Sequence, residues 1–357
     1  MNWKRNSPRW RSSHLGGGIC CLPTDSLMAW NVSILDKQAI LIFQAESLVQ
    51  ECTPHVICYG DSIMIREIHI FKEDQTVFQD VIVPNRDLDT DAVMMLVASS
   101  AKKLQEWKID SMEIERFRYV YMNSHDTQFI ITMDRQASLQ KVNEAMMDMV
   151  SKFMTAFESV LESDEWKSTD FSPFGAGFRN VVSKIPVKVC LGGHGGTGKT
   201  TLLELATLPS RGPPQEYVPT FFGDKALLKA DFDPYVFSMF DLGGQDRFVQ
   251  EWGKIIRAGS MVVVVTDSTK ENLSWTMRVA YPVLKAELPY ARAIAVANKQ
   301  DLPGALSPEE VGKRLGIAAY GMQANRADFR ERWLKLLRGL AFEEIDFTIV
   351  GEITEVE

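Results

Sequence analysis

The chain reads as an α/β fold in its second half, preceded by a smaller α+β domain. Two observations lead to that class. A glycine-rich loop at residues 192–198 stands between a short apolar run and a helix-forming run, and two more short apolar runs downstream each end in a polar loop. The first half instead alternates apolar and polar residues in hairpin-sized pieces and then changes to helical period.

Taken in order, residues 1–28 begin with Lys4, Arg5, Arg9 and Arg11 and no acid up to residue 14. A glycine-rich stretch and Cys20-Cys21 follow. This reads as a disordered leader, because the apolar run is too poor for a signal peptide. Residues 29–163 form the first domain. Apolar runs at 32–35 and 39–43 flank a turn at 36–38, and further strands are expected at 63–71 and 77–83. Residues 91–107 carry apolar side chains at 93, 94, 97, 101 and 104, close to helical spacing. Phe117, Tyr119 and Tyr121 alternate with polar partners, a turn follows at 123–126, and Phe129, Ile131 and Met133 alternate again. From 137 to 161 one stripe holds Leu139, Val142, Met146, Met149, Val150, Phe153, Phe157 and Val160, the mark of a long amphipathic helix. Its methionines are read as core. His55, His69 and His125 are scattered and point to no catalytic group. Residues 164–183 are a linker, but Trp166, Phe171, Phe174 and Phe178 suggest that it lies across a domain. Residues 184–342 are the second domain, and 343–357 an acidic tail able to add an edge strand.

Four motifs in the second domain carry the chemistry. Gly193 to Thr200 fits G-x-x-x-x-G-K-[ST], with strand character at 187–191 before it and a helix start after Lys199. In such a loop the backbone N–H groups of Gly193, His194, Gly195, Gly196, Thr197 and Gly198 turn inward on phosphates at a helix N-terminus, with Thr201 in the first turn. Lys199 would reach the β- and γ-phosphates, and the Thr200 hydroxyl would bind Mg²⁺. DLGGQ at 241–245 closes a strand at 235–240. There Asp241 would hold Mg²⁺ through water, the Gly244 backbone would meet the γ-phosphate, and Gln245 would orient the attacking water. Thr220, in VPT between the two, is the candidate for a second metal-binding hydroxyl and a catalytic residue alongside Gln245 and Lys199. NKQD at 298–301 follows an apolar strand at 294–297. The Asp301 carboxylate would accept from guanine N1–H and its 2-amino group, Asn298 would brace the loop, and the Lys299 stem would cover the base. Adenine lacks those donors, and leaving a buried carboxylate unpaired costs about 1–3 kcal/mol. The motifs therefore favour GTP and GDP over ATP, and disfavour a P-loop enzyme acting on a small molecule.

Residues 184–342 resemble a small GTPase of the Arf/Arl/Sar group, with the beta subunit of the signal-recognition-particle receptor as a further relative. The resemblance rests on GKTT, the PT at 219–220, DLGGQDRF, Trp252 and ANKQDLPGAL. It implies a P-loop NTPase fold, with a mostly parallel sheet and helices on both faces, and a GTP/GDP switch using Mg²⁺. It also implies an activating protein, an exchange factor and an effector. Gln323–Ala324 is a faint version of the family's last guanine-side motif, and with Asn2 in place of glycine the myristoylated N-terminus of Arf proteins is not expected. Gα proteins, which are similar here, carry a catalytic arginine three residues before the switch threonine. This chain has Tyr217 there, with Arg211 further off in a Pro/Gly-rich loop. Slow intrinsic hydrolysis is expected, since such an arginine is worth on the order of 10³–10⁵ in rate.

The element order of residues 29–163 resembles a longin domain or its roadblock-like relatives. The expectation is a GTP-binding switch in membrane trafficking or protein targeting, whose longin-like half docks on or near the switches or recruits partners. The alternative is a GTP-bound scaffold with little hydrolysis, akin to a component of the signal-recognition-particle receptor. A net charge of −8 argues against a nucleic-acid partner. Five cysteines without ligand spacing suit a reducing compartment. The expected location is cytoplasmic, with peripheral membrane association.

Overall fold

The computed structural model describes residues 34–35, 38–39, 63–84, 90–137, 139–163, 165–207, 223–228 and 232–349. The chain divides into two compact units, residues 1–55 and 56–357. In the first, β1 (Ile34–Leu35) and β2 (Gln38–Ala39) pair antiparallel, with Gln38, read as part of the turn, placed in β2. The rest of the leader and of the runs at 32–43 lies outside the described residues.

The second unit begins with β3 (Ile65–Lys72) and β4 (Gln75–Val81), then α1 (Thr90–Ala101). Strands β5 (Ile109–Ile114), β6 (Phe117–Ser124) and β7 (Thr127–Asp134) lead to the long helix α2 (Leu139–Leu161). The five strands form one antiparallel sheet in the order β4-β3-β7-β6-β5. Two of the three tight hairpins turn on two residues with positive φ, Glu73 and Asp74 at 50° and 67°, and His125 and Asp126 at 47° and 58°. That is the turn whose twist matches the flanking strands.

Two elements differ from the sequence reading. Helix α1 stops at Ala101, short of the segment 91–107 read as helical. Leu104 still packs inward, but from a turn, and Trp107 takes φ of 61° and donates its N–H to the Asn123 carbonyl at 3.0 Å. Strand β5 was not expected. Its alternation is masked by exposed Asp110 and Glu113, the charges an edge strand carries against further pairing.

One face of this sheet packs on α2. Met146, Met149, Val150 and Phe153 are buried against Ile68, Val120, Phe129 and Ile131. The segment read as a linker folds into a 3-10 turn (Ser168–Phe171) and helix α3 (Phe174–Ser183), which packs on α2. Phe153 sits edge-on to Phe174 at 5.0 Å and stacks near Phe171 at 5.7 Å. The linker aromatics are therefore core, as their apolar mass demands.

The remaining elements are β8 (Pro186–Gly192), α4 (Lys199–Thr207), β9 (Gly223–Leu228), β10 (Val236–Leu242), α5 (Asp246–Val249) and α6 (Trp252–Ile256). Then come β11 (Met261–Thr266), α7 (Lys270–Trp275), a π-helical turn (Thr276–Ala280), α8 (Tyr281–Glu287) and β12 (Arg292–Ala297). The series ends with α9 (Pro308–Leu315), β13 (Ala319–Gly321), α10 (Arg330–Ala341) and β14 (Thr348–Ile349). The sheet runs β13-β12-β11-β8-β10-β9, parallel except for β9, and β14 adds antiparallel to β12. Strands β11 (MVVVVT) and β12 (RAIAVA) are mostly Val, Ile and Ala and buried throughout, because both faces of the sheet are covered. Val187, Val189, Val263 and Val296 share a core with α4, α10, α3 and α2, so apolar packing is continuous from one sheet to the other. Val262, Val264, Ala293 and Ala295 face Leu273, Leu284 and Val311. Among the described residues no helix is long and apolar enough to cross a membrane.

Candidate functional site

Every predicted motif that can be placed lies at the carboxyl end of a strand, where ligands bind in open α/β sheets. Strand β8 delivers the glycine-rich loop, β10 delivers DLGGQ, β12 delivers NKQD and β13 delivers Gln323–Ala324.

The loop is closely fitted. Gly193 has φ of 155°, and a Cβ there would fall 2.1 Å from the Val265 carbonyl. Gly198 has φ of 97°, and its Cβ would fall 2.3 Å from Asn298 Nδ2. Gly244 packs so closely that a Cβ would fall 2.4 Å from the His194 carbonyl carbon, and its own carbonyl accepts from Gly195 N at 2.9 Å. Lys199 is buried, and its Nζ donates to the carbonyls of Gly193 and His194, both at 2.9 Å. Burial pulls its pKa below the usual lysine value, with Asp241 acting in the opposite direction. An ammonium held by two neutral carbonyls at the mouth of a helix is matched to a polyanion.

The Thr200 hydroxyl donates to the carboxylate of Asp241, which is fully buried at the end of β10. A hydroxyl and a carboxylate side by side are the hard oxygen donors that Mg²⁺ takes, usually with waters completing its shell. The pair fits the metal that the fold implies. Thr220, Tyr217 and Arg211 lie outside the described residues. Among those described, no group of three or more His, Cys, Asp or Glu side chains is arranged to hold a metal.

Asn298 ties the site together. Its Nδ2 donates to the Thr197 carbonyl at 2.8 Å, and its Oδ1 accepts from Ala324 N at 2.9 Å. The glycine-rich loop, NKQD and the faint last motif thus meet at one buried amide. Lys299 adopts φ of 58°, Asp301 is exposed beside it, and Gln323 is half-buried. Motif spacing missed the support beneath them. Ser268, after β11, donates to the Asn298 carbonyl at 2.7 Å, and Gln300 Nε2 donates to Ser268 Oγ at 2.8 Å. A serine in a loop gives no signal until β11 and β12 are known to be neighbours. Trp252, noted only through the resemblance, donates its indole N–H to the Gly243 carbonyl at 3.0 Å.

The described part of the N-terminal half meets the opposite ends of the strands. Arg292, which opens β12, donates to Asp134 Oδ2 at 2.9 Å, and Tyr235, just before β10, donates its hydroxyl to the Ile65 carbonyl at 2.6 Å. Glu343, beyond α10, pairs with Arg66 and Arg116. Docking on the switches, expected for residues 29–163, involves Thr220 and residues before 63 that lie outside the described residues. Of the polar partners of residues 63–163, Arg292 and Tyr235 lie at strand starts, while the glycine-rich loop is at a strand end.

The ADP-ribosylation factor family matches residues 177–334. ADP-ribosylation factor-like protein 5 of Caenorhabditis elegans is 32% identical over 146 residues, covering 36% of this chain and 71% of that protein. ADP-ribosylation factor-like protein 8b of Arabidopsis thaliana is 30% identical over 142 residues, covering 39% of this chain and 74% of that protein. Among solved structures, the Arl6 BBS3 small GTPase from Trypanosoma brucei, with a bound nucleotide analogue, GppNp, shares 18% identity over 45% of this chain and 99% of its own, at a TM-score of 0.38. Four strand-end loops in the family's order, with most of each relative's length spanned, lead to one conclusion: this chain belongs to the ADP-ribosylation factor family.

Proposed function

We propose that the chain is a slowly hydrolysing GTP switch built onto a longin-like module. The observation that carries this reading is the convergence on Asn298, which joins the phosphate loop at Thr197 to the base-side loop at Ala324. Lys199 and the N–H groups of residues 193–198 would bind the phosphates, and Asp301 would select guanine. Thr200, Asp241 and Thr220 would hold Mg²⁺, which neutralises charge on the phosphate oxygens when bound. Gln245, half-buried beside Gly244, would orient the attacking water. With Tyr217 where Gα proteins have arginine, an activating protein would supply the missing cation.

The longin-like reading is supported by the order of the antiparallel sheet, with α1 on one face and α2 on the other. The module acts in cis from the strand starts or recruits partners by its outer surface. The proposed setting is the cytoplasm, peripheral to a membrane, in trafficking or targeting. The test is single-turnover GTP hydrolysis with Mg²⁺ by the full chain, beside ATP and Gln245→Leu. GTP-specific, Gln245-dependent hydrolysis is expected. Equal handling of ATP would overturn the reading.

A further inference from the structure

His194 enters the functional reading only through its backbone, yet its side chain is fixed in place. Its carbonyl accepts from Lys199 Nζ and from Thr197 Oγ1 at 3.0 Å. Its Nδ1 lies 3.0 Å from the Gly195 carbonyl, which makes Nδ1 the protonated nitrogen. The ring then meets Trp275, at the end of α7, edge-on, with centroids 4.6 Å apart and planes at 78°. The Trp275 indole N–H donates to Asp246 Oδ1 at 2.8 Å. Asp246 directly follows Gln245, whose carbonyl accepts from Phe248 N at 2.8 Å. These contacts form a strut from the phosphate loop, across α7, back to the residue after Gln245. It borders a cavity of about 760 Å³ lined by His194, Gly195, Gly244, Gln245, Asp246 and Arg247.

We propose that His194 is a positioning residue for hydrolysis, holding Gln245 at the phosphate end of the site through Trp275 and Asp246. The inference rests on the functional reading above. A displacement of about 1 Å in a positioning group can cost on the order of 10²-fold in rate. Gln245 is the extended residue just before a helix of only four residues, Asp246–Val249, which has little stiffness of its own. The strut supplies the stiffness from outside.

The test is single-turnover GTP hydrolysis and GTP affinity of the full chain. The variants are His194→Leu, Asp246→Ala, Asp246→Asn, the double variant His194→Leu/Asp246→Ala, and Gln245→Leu. His194→Leu and Asp246→Ala should each slow hydrolysis about tenfold, with GTP affinity within about twofold of wild type. The double variant should be no slower than either single one, because both break the same strut. Asp246→Asn keeps an acceptor for the indole N–H and should stay near the wild-type rate. An unchanged rate in His194→Leu, a matching loss of affinity, or additive losses in the double variant would overturn the proposal. Gln245→Leu separates the two failures. If hydrolysis does not need Gln245, the functional reading falls and the strut with it. If it does need Gln245 and His194→Leu stays at wild type, only the strut is wrong.

Discussion

Glu343 receives Arg116 with both carboxylate oxygens, one on each terminal guanidinium nitrogen, at 2.9 and 3.0 Å. The same carboxylate pairs with Arg66, and Arg292 Nη1 stands 3.9 Å away. Arg66 and Arg116 each lie 4.8 Å from the centroid of the Phe117 ring. Three arginines and two acids, Glu343 and Asp134, are thereby shut between the two sheets. Burial alone would raise the Glu343 pKa, but Arg66, Arg292 and Arg116 outweigh it and hold the carboxyl below its ordinary value.

Removing that charge should be costly. Glu343→Ala leaves the buried arginines short of a partner, and breaking such a pair destabilises by about 3–5 kcal/mol. Urea unfolding followed by tryptophan fluorescence should show a lower midpoint. A loss below 1 kcal/mol would mean that water enters the cluster.

The same carboxylate fixes a pH dependence. A carboxyl whose pKa is lowered by folding adds stability that is fully present above its unfolded value of about 4.3 and is lost as pH falls through the folded value. Acid unfolding should therefore steepen below about pH 4 in the wild type and be shallower in Glu343→Gln. Parallel curves would remove Glu343 from the account.

Gly198→Ala should abolish nucleotide binding with little loss of fold. The residue must hold φ of 97°, and its Cβ would press on Asn298 Nδ2. Backbone strain of this kind costs about 1–3 kcal/mol, concentrated where three loops meet. Titration with a fluorescent GTP analogue would show the loss, and far-UV circular dichroism should stay unchanged.

Asp301→Asn should narrow the preference for GTP over ATP by about 1–3 kcal/mol, mainly through weaker GTP binding. Competition between the two nucleotides measures it directly. An unchanged ratio would place base selection elsewhere.

Phe153→Ala should cost about 3–5 kcal/mol. The ring is fully buried and touches Phe129, Phe157, Phe171 and Phe174. Because two of those partners belong to the segment after α2, proteolysis at residues 164–173 should also quicken.

Much of this was legible in the sequence because its physics is local. Val187, Val189 and Leu191 next to a glycine-rich loop, or the stripe from Val142 to Phe157, declare their element by spacing alone. What escaped depends on contacts distant in sequence. Strand β5 hides because its Asp110 and Glu113 are exposed, and after α1 the chain is taken up by Trp107 bonding to Asn123 at the start of the β5–β6 pairing. Ser268 has no motif, and its role appears only when β11 lies beside β12. By sequence Glu343 belongs to an acidic tail. Nothing local distinguishes it from Glu344, yet Glu343 is buried among arginines and Glu344 is exposed.

That pairing also bears on how the protein is made. Arg116 and Glu343 are separated by 227 positions. During synthesis the antiparallel sheet leaves the ribosome long before its counter-charge exists, and domains generally fold from the N-terminal end first. Until residue 343 emerges, Arg66 and Arg116 must stay hydrated on an unfinished surface. The joint between the halves is thus a late event in the life of each molecule, completed only after the whole nucleotide site has been translated.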